Sequence, residues 1–171
     1  MNIRFVAWVA LFLSVQSIAA SNPSNNHPFA RVDMVYKSNG CSFPYSPVNY
    51  CDEKHVREFK DVLASTLSNF NGHYIVVTPS EWPAYHQKSV VALDVLTGVA
   101  IPLPIDAYSG PIDANGKVAG EGGIEYRRDS DTMCIKGTIL VYRELQEGEF
   151  CFTLKENKFI GHHTEYMEAV N

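Results

Sequence analysis

Basic residues are scarce in this sequence. Its 171 residues include 14 Lys and Arg against 19 Asp and Glu, which gives a formal net charge of −5 at pH 7. Proteins that bind nucleic acid non-specifically, or that adhere to anionic membranes, need a basic surface. The composition therefore argues against both classes of partner.

Long apolar runs are missing too. The most apolar stretch, residues 5–15, follows Arg4 and is too short to cross roughly 30 Å of hydrocarbon as a helix. Small residues after it permit cleavage following Ala19. A basic start, a short apolar core and a small-residue exit are typical of a secretory signal peptide. We therefore predict a signal peptide over residues 1–19, export to the periplasm and no membrane span.

Motifs of common enzyme classes are absent. The sequence has no P-loop, no G-x-G-x-x-G fingerprint and no G-x-S-x-G nucleophile elbow. Ser109 and Asp106 could join a histidine in a triad, but without that local motif. Five glutamates between residues 121 and 149 could supply a glycosidase-like pair, although such pairs arise by chance on an acidic surface. We expect no catalytic residues and no cofactor.

Closely spaced metal ligands are missing as well. The four cysteines are too far apart for a zinc site, which uses C-x₂₋₄-C or H-x₃₋₅-H pairs. In an oxidising compartment an even number of cysteines favours disulfides. Three pairings are possible. We favour Cys41–Cys51 and Cys134–Cys151, because each pair is close in sequence and brackets a turn-rich or hairpin-like segment.

One segment has the periodicity of an amphipathic helix. Between Asp52 and Phe70 the apolar residues recur at intervals of three and four, which places them on one helical face. An acidic start suits the positive end of the helix dipole, and Asn71-Gly72 supplies a stop. The sequence predicts one helix over residues 52–70.

Beyond this helix the pattern is that of β-strands. Short β-branched or alternating runs are divided by Gly, Pro and Asn, which is typical of antiparallel sheets. We predict a single mainly-β domain over residues 20–171, built as an antiparallel sheet, a sandwich or propeller-like blades, with one N-terminal amphipathic helix. The predicted strands are residues 74–78, 89–95, 99–101, 123–127, 132–135, 138–143, 150–154 and 158–160, with a two-residue turn at Glu156-Asn157 before the last of them. Residues 44–47, Pro-Tyr-Ser-Pro, have the composition of a turn.

Residues 102–123 match neither a strand nor a helix. They contain three prolines and five glycines, and a loop of this length in a compact domain is usually functional or disordered. Prolines stiffen the chain by fixing φ. We interpret the segment as a rigid projecting loop with Asp106, Tyr108 and Ser109 near its tip. The alternatives are a loop that folds back over the sheet, with Tyr108 as a plug, and a loop that covers a small ligand.

Trp82 lies in the segment E-W-P-A-Y, residues 81–85. An aromatic residue in this setting is more typical of a core or surface position than of a platform for a sugar ring. Sequence reasoning therefore assigns Trp82 no binding role.

Several short motifs together resemble a known class of exported bacterial proteins. The combination is similar to the immunity proteins that protect against type VI secretion peptidoglycan amidases, over about residues 72–160. The motifs are D-x-x-T-G at 94–98, P-I-D-A-Y-S-G-P at 104–111, Y-R-R-D-S at 126–130 with Cys134, and F-C-F at 150–152.

The resemblance implies a mostly-β inhibitor whose serine-bearing loop enters the catalytic cleft of a secreted cell-wall hydrolase. Carried onto this chain, Ser109 on the 104–123 loop is the inserted residue, flanked by Tyr108 and Gly110, with Asp106 also in the partner-binding set. Two other functions fit the same features. They are a lysozyme inhibitor, and an exported small-ligand binder or enzyme, which a pocket with converging titratable groups would favour.

Overall fold

A computed structural model describes residues 27–162, so the predicted signal peptide lies outside the described residues. Within them the protein is mainly β, as predicted, with one α-helix and two sheets that form a sandwich-like arrangement. No helix in this range is long and apolar enough to cross a membrane. The elements are β1 (Arg31–Val32), α1 (Glu53–Ser65), β2 (Tyr74–Val77), β3 (Ser80–Trp82), β4 (Gln87–Lys88), β5 (Val91–Asp94), β6 (Val99–Pro102), β7 (Ala107–Ser109), β8 (Gly123–Glu125), β9 (Thr132–Val141), β10 (Glu144–Lys155) and β11 (Lys158–Gly161).

The smaller sheet has the strand order β1-β6-β5-β2 and is antiparallel except for the parallel pair β1 and β6. The larger sheet has the order β11-β10-β9-β7-β4-β3, and all its pairs are antiparallel. Strand β8 also pairs with β9, along the same edge as β7. The 111–121 segment leaves the sheet between these two strands.

The smaller sheet is buried on both faces. Tyr74 and Val76 of β2 belong to an apolar cluster that includes strands of the larger sheet. Ile75 and Val77, which alternate with them, belong to a second cluster that includes α1. Because both faces are covered, the strand reads as a continuous apolar run rather than as alternating polar and apolar residues.

Helix α1 begins where the sequence predicts but ends earlier. Asp52 caps it by accepting a hydrogen bond from the backbone N–H of His55, at 2.8 Å. The predicted end at residue 70 is wrong, since the helix stops at Ser65 and Thr66 has an extended backbone. The apolar spacing continues to Phe70, but Phe70 lies in a tight turn, and its side chain reaches the core without a helix.

Two predicted strands are one continuous strand. Residues 132–135 and 138–143 were expected as separate elements, but β9 runs through Gly137 and ends at Val141. Tyr142 and Arg143, the expected end of the second strand, instead form the two-residue turn into β10, both with positive φ. The turn predicted at Glu156-Asn157 is confirmed, again with positive φ at both residues.

Both favoured disulfides are confirmed. Cys41 is bonded to Cys51, and Cys134 is bonded to Cys151. The second bridge joins directly paired residues of β9 and β10. Glu149 lies near this bridge, but the two sulfurs are bonded to each other. Two disulfides indicate an oxidising, exported environment.

Candidate functional site

The predicted partner-binding residues are buried, so the projecting-loop interpretation is wrong for them. Asp106, Tyr108 and Ser109 expose only 3%, 4% and 1% of their surface, and Gly110 is also buried. Residues 107–109 form β7, an interior strand of the larger sheet that pairs with β9 on one side and β4 on the other. The Ser109 hydroxyl donates to the adjacent carbonyl of Gly110, at 3.3 Å.

The glycines of this segment serve close packing. A Cβ atom at Gly122 or at Gly137 would overlap the carbonyl oxygen of Ser109. Glycine at both positions therefore lets β7, β8 and β9 approach one another at the point where the first two strands share an edge of the third. The glycine-rich composition that predicts a stiff loop is therefore also compatible with an interior strand, β7.

The exposed part of the predicted loop is the hairpin at residues 111–121. The backbone N–H of Asp113 donates to the carbonyl of Lys117 at 2.7 Å. The Asp113 carboxylate accepts from the backbone N–H groups of Asn115 and Lys117, at 2.8 and 2.9 Å. These bonds lower the pKa of Asp113. The hairpin is thus rigid and exposed, but its tip carries residues other than the predicted ones.

A cleft of about 380 Å³ lies at one end of the larger sheet, within the roughly 300–1,000 Å³ range of ligand pockets. Four separate parts of the chain form it: the loop before α1, the segment from β3 to β4, the residue before β7, and the end of β9 with the turn that follows. We call it the aromatic cleft and define it by Tyr45, Trp82, Tyr85, Gln87, Asp106 and Arg143.

The aromatic rings of the cleft are accessible. Tyr45 and Tyr85 expose 68% and 61% of their surface. Trp82 is half-buried because it packs against the apolar cluster that includes α1. The guanidinium carbon of Arg143 lies 5.6 Å from the centroid of the Tyr45 ring, in a cation–π contact. Packing on the core holds the indole of Trp82, and the exposed cation–π contact stabilises the Tyr45 ring by about 0.5–1 kcal/mol.

Asp106 lines the cleft as its one buried charged residue. Burial raises the pKa of the Asp106 carboxyl, and hydrogen bonds from the Ser46 side chain and the Arg143 backbone N–H offset only part of that effect. Within the described part of the chain, the Oδ2 atom of Asp106 accepts no hydrogen bond. A buried acceptor without a donor costs about 1–3 kcal/mol. The atom exposes less than 1 Å², so a donor from a molecule in the cleft pairs with it only once the lining side chains shift.

Four residues in or beside the cleft have a positive φ, and two of them, Tyr142 and Arg143, form the turn between β9 and β10. Seven non-glycine residues in the described range have positive φ. Tyr45 and Arg143 are among them and line the cleft, and His86 and Tyr142 adjoin lining residues. A left-handed backbone costs a non-glycine residue about 1–2 kcal/mol. Strain of this kind is often found where a side chain is held for a binding role.

A buried network lies behind Trp82. The His55 ring is placed between two carboxylates, with Nδ1 2.8 Å from Oδ1 of Asp52 and Nε2 2.9 Å from Oε1 of Glu81. The Ser89 hydroxyl donates to the same Glu81 oxygen at 2.5 Å. Burial lowers the pKa of His55, but the hydrogen bonds and charges of Glu81 and Asp52 outweigh it, so the pKa is raised.

The same network acts on the two carboxyl groups. Burial raises the pKa values of Asp52 and Glu81, but hydrogen bonds from His55 outweigh it and lower both. Each ring nitrogen faces a carboxylate oxygen, so the protonated ring can donate a hydrogen bond to both groups. It ties the start of α1 to β3, the strand that ends in Trp82.

Sequence reasoning missed most of the cleft. The pattern around Trp82 indicates no binding role, residues 44–47 have only the composition of a turn, and Arg143 lies within a predicted strand. The available signal was an excess of aromatic residues beside turn-forming prolines, at residues 44–47 and 82–85. Comparison of the chain with models of protein families, with curated proteins and with solved structures finds no match.

Proposed function

We propose that the protein is an exported, non-catalytic binding protein that holds a ring-bearing ligand in the aromatic cleft. Residues 1–19 act as the signal peptide and the periplasm is the destination, which the two disulfides support. The observation that carries the proposal is the unpartnered Oδ2 atom of Asp106, buried in a cleft with accessible aromatic rings.

The chemistry of the cleft supports binding. Aromatic faces provide apolar contact area, and the polar groups that fix the ligand's orientation are one carboxylate, one amide and one guanidinium. Tyr, Trp and Arg are also the residues that dominate binding energy at recognition sites. Strain at Tyr45 and Arg143 is consistent with rings and charges held ready before the ligand arrives.

The protein has one intrinsic reporter in the cleft. Its two tryptophans are Trp8 and Trp82, so a Trp8→Phe chain leaves Trp82 as the only indole. We expect its emission to change saturably on titration with at least one ring probe from a set of benzamide, cellobiose and diacetylchitobiose. A flat response to all three contradicts the proposal.

A matched pair of variants tests where the probe binds. Tyr45→Asn removes an accessible ring and keeps a residue that tolerates positive φ, so it should weaken binding at least tenfold. Leu96→Asn changes a side chain of similar exposure, 57%, in the turn after β5. It should leave binding unchanged. Equal affinities in both variants would locate the probe outside the cleft.

A second function is favoured by the rigid hairpin at residues 111–121. Inhibition of a secreted cell-wall hydrolase requires a pre-ordered exposed segment, and the Asp113 hydrogen bonds supply that order. The inserted residues are then those of the hairpin tip rather than Tyr108 and Ser109. Purified protein should inhibit a lysozyme or a peptidoglycan amidase, and an Asn115→Arg, Lys117→Glu variant should lose inhibition. If the protein inhibits neither enzyme, this function is rejected.

A further inference from the structure

We infer that the ligand of the aromatic cleft is a saccharide, whose ring lies against the indole of Trp82 and one of whose hydroxyls donates to Asp106. This inference rests on the proposed function. It follows from the combination of flat rings with a buried carboxylate and a guanidinium in one cleft.

The aromatic rings match the faces of a sugar ring. A saccharide ring has apolar C–H faces and a polar edge of hydroxyls. C–H groups carry partial positive charge and favour the negative face of an aromatic ring. Trp82 is held by the core beneath it, and Tyr45 by the Arg143 guanidinium at 5.6 Å. Two flat aromatic surfaces in a cleft of about 380 Å³ suit a flat, ring-shaped ligand.

The polar groups match the edge of the ring. A hydroxyl donates one hydrogen bond and accepts others. Oδ2 of Asp106 accepts, the Arg143 guanidinium donates, and the Gln87 amide does both. A ring of adjacent hydroxyls can satisfy all three groups at once.

The charges of the cleft disfavour the other ligand classes. An apolar ring would leave the Asp106 acceptor buried and unpaired, at the full desolvation cost. A cationic ligand would lie near the Arg143 guanidinium, which already occupies the Tyr45 ring. An anionic ligand would face the Asp106 carboxylate. A neutral ligand with hydroxyl groups meets none of these penalties.

Saturation-transfer NMR on the full chain tests the inference, with cellobiose and diacetylchitobiose as saccharides and benzamide as a ring without hydroxyls. We expect at least one saccharide to bind and benzamide to bind at least tenfold more weakly. Asp106→Asn should weaken saccharide binding at least tenfold. This variant keeps an oxygen for the neighbours of Asp106 and preserves the side chain's shape. The Leu96→Asn control should bind like the original chain.

The outcomes separate this inference from the proposed function. Binding of benzamide without binding of either saccharide overturns the inference and leaves the cleft as a binding site. Unchanged saccharide affinity in Asp106→Asn also overturns it, since the carboxylate then accepts no hydrogen bond from a ligand hydroxyl. No binding of any of the three probes overturns both.

Discussion

The Nε2 atom of His55 lies 2.9 Å from the Oε1 atom of Glu81, and this contact joins α1 to the strand that carries Trp82. Glu81 and Trp82 are adjacent in the chain, but their side chains have different functions. Glu81 is fixed to the buried histidine, whereas Trp82 lines the aromatic cleft. The protonated ring of His55 therefore stabilises the backbone from which the cleft's indole projects.

This network predicts a pH-dependent stability. Because the pKa of His55 is raised on folding, the histidine adds its full contribution to the free energy of unfolding below its ordinary pKa of 6.5. That contribution is lost as the pH rises through the folded-state pKa. Because the pKa of Glu81 is lowered on folding, the glutamate adds its full contribution to the free energy of unfolding above its ordinary pKa of 4.5. That contribution is lost as the pH falls through the folded-state pKa. The network should stabilise the protein most between about pH 4.5 and 6.5.

A His55→Gln variant measures that contribution. The difference in Tm between the original chain and the variant should be largest near pH 6 and smaller at pH 8. Each 1 kcal/mol corresponds to about 2–4 °C in a chain of this size. His27→Gln, which changes an exposed histidine, should show no such pattern. A Tm difference that is constant from pH 5 to pH 8 would mean that His55 is not protonated in the network.

Charged substitutions in β7 should unfold the protein. Tyr108→Glu or Ser109→Lys would bury a charge inside the larger sheet and cost about 3 kcal/mol or more. Lys117→Glu at the exposed hairpin should change the unfolding free energy by less than about 0.5 kcal/mol. Urea denaturation followed by circular dichroism gives both values. If the β7 variants keep the original midpoint, these side chains are exposed in solution.

Gly137 should resist replacement even by alanine. It has a φ of +136°, and its Cβ would overlap the Ser109 carbonyl oxygen. We expect Gly137→Ala to cost at least about 2 kcal/mol. Gly123→Ala is the matched control, because its nearest neighbour would lie 3.8 Å away, and it should be close to neutral. Equal effects on the unfolding free energy would contradict the close approach of β7 to β9.

Each disulfide should contribute about 3 kcal/mol, because the bridges close loops with sequence separations of 10 and 17 residues and restrict the unfolded chain. Paired Cys→Ala variants, one for each bridge, measure this by urea denaturation. The Cys134–Cys151 pair should cost slightly more, since its loop is longer. A loss below about 1 kcal/mol for either pair would show that the segments it joins keep their positions without the covalent link.

Local patterns in the sequence predict several secondary-structure elements and both disulfides. The helix start at Asp52, the strands predicted at 74–78 and 89–95 and the turn at Glu156-Asn157 are encoded by neighbouring residues. The structure has α1 from Glu53, β2 at Tyr74–Val77, β5 at Val91–Asp94 and the turn at the predicted place. The disulfides followed from short separations along the chain.

The site could not be read in the same way, because its residues are neighbours only after folding. Tyr45, Trp82 and Arg143 come from segments far apart in sequence, and they meet only when the larger sheet forms and the loop before α1 lies beside it. The projecting loop predicted for the proline- and glycine-rich residues 102–123 is wrong at residues 106–110 for a related reason. Glycine permits both an exposed turn and close strand packing, and the choice depends on whether a carbonyl such as that of Ser109 lies opposite.

Chemical-shift mapping of the ¹⁵N-labelled full chain during titration with the saccharide probes tests the central claim most directly. The aromatic cleft predicts that the Trp82 indole and the backbone amides of Tyr45, Gln87 and Arg143 shift together, while the amides of the 111–121 hairpin stay unchanged. Shifts concentrated in that hairpin, or no shift at any cleft residue, would contradict the assignment of the cleft as the binding site.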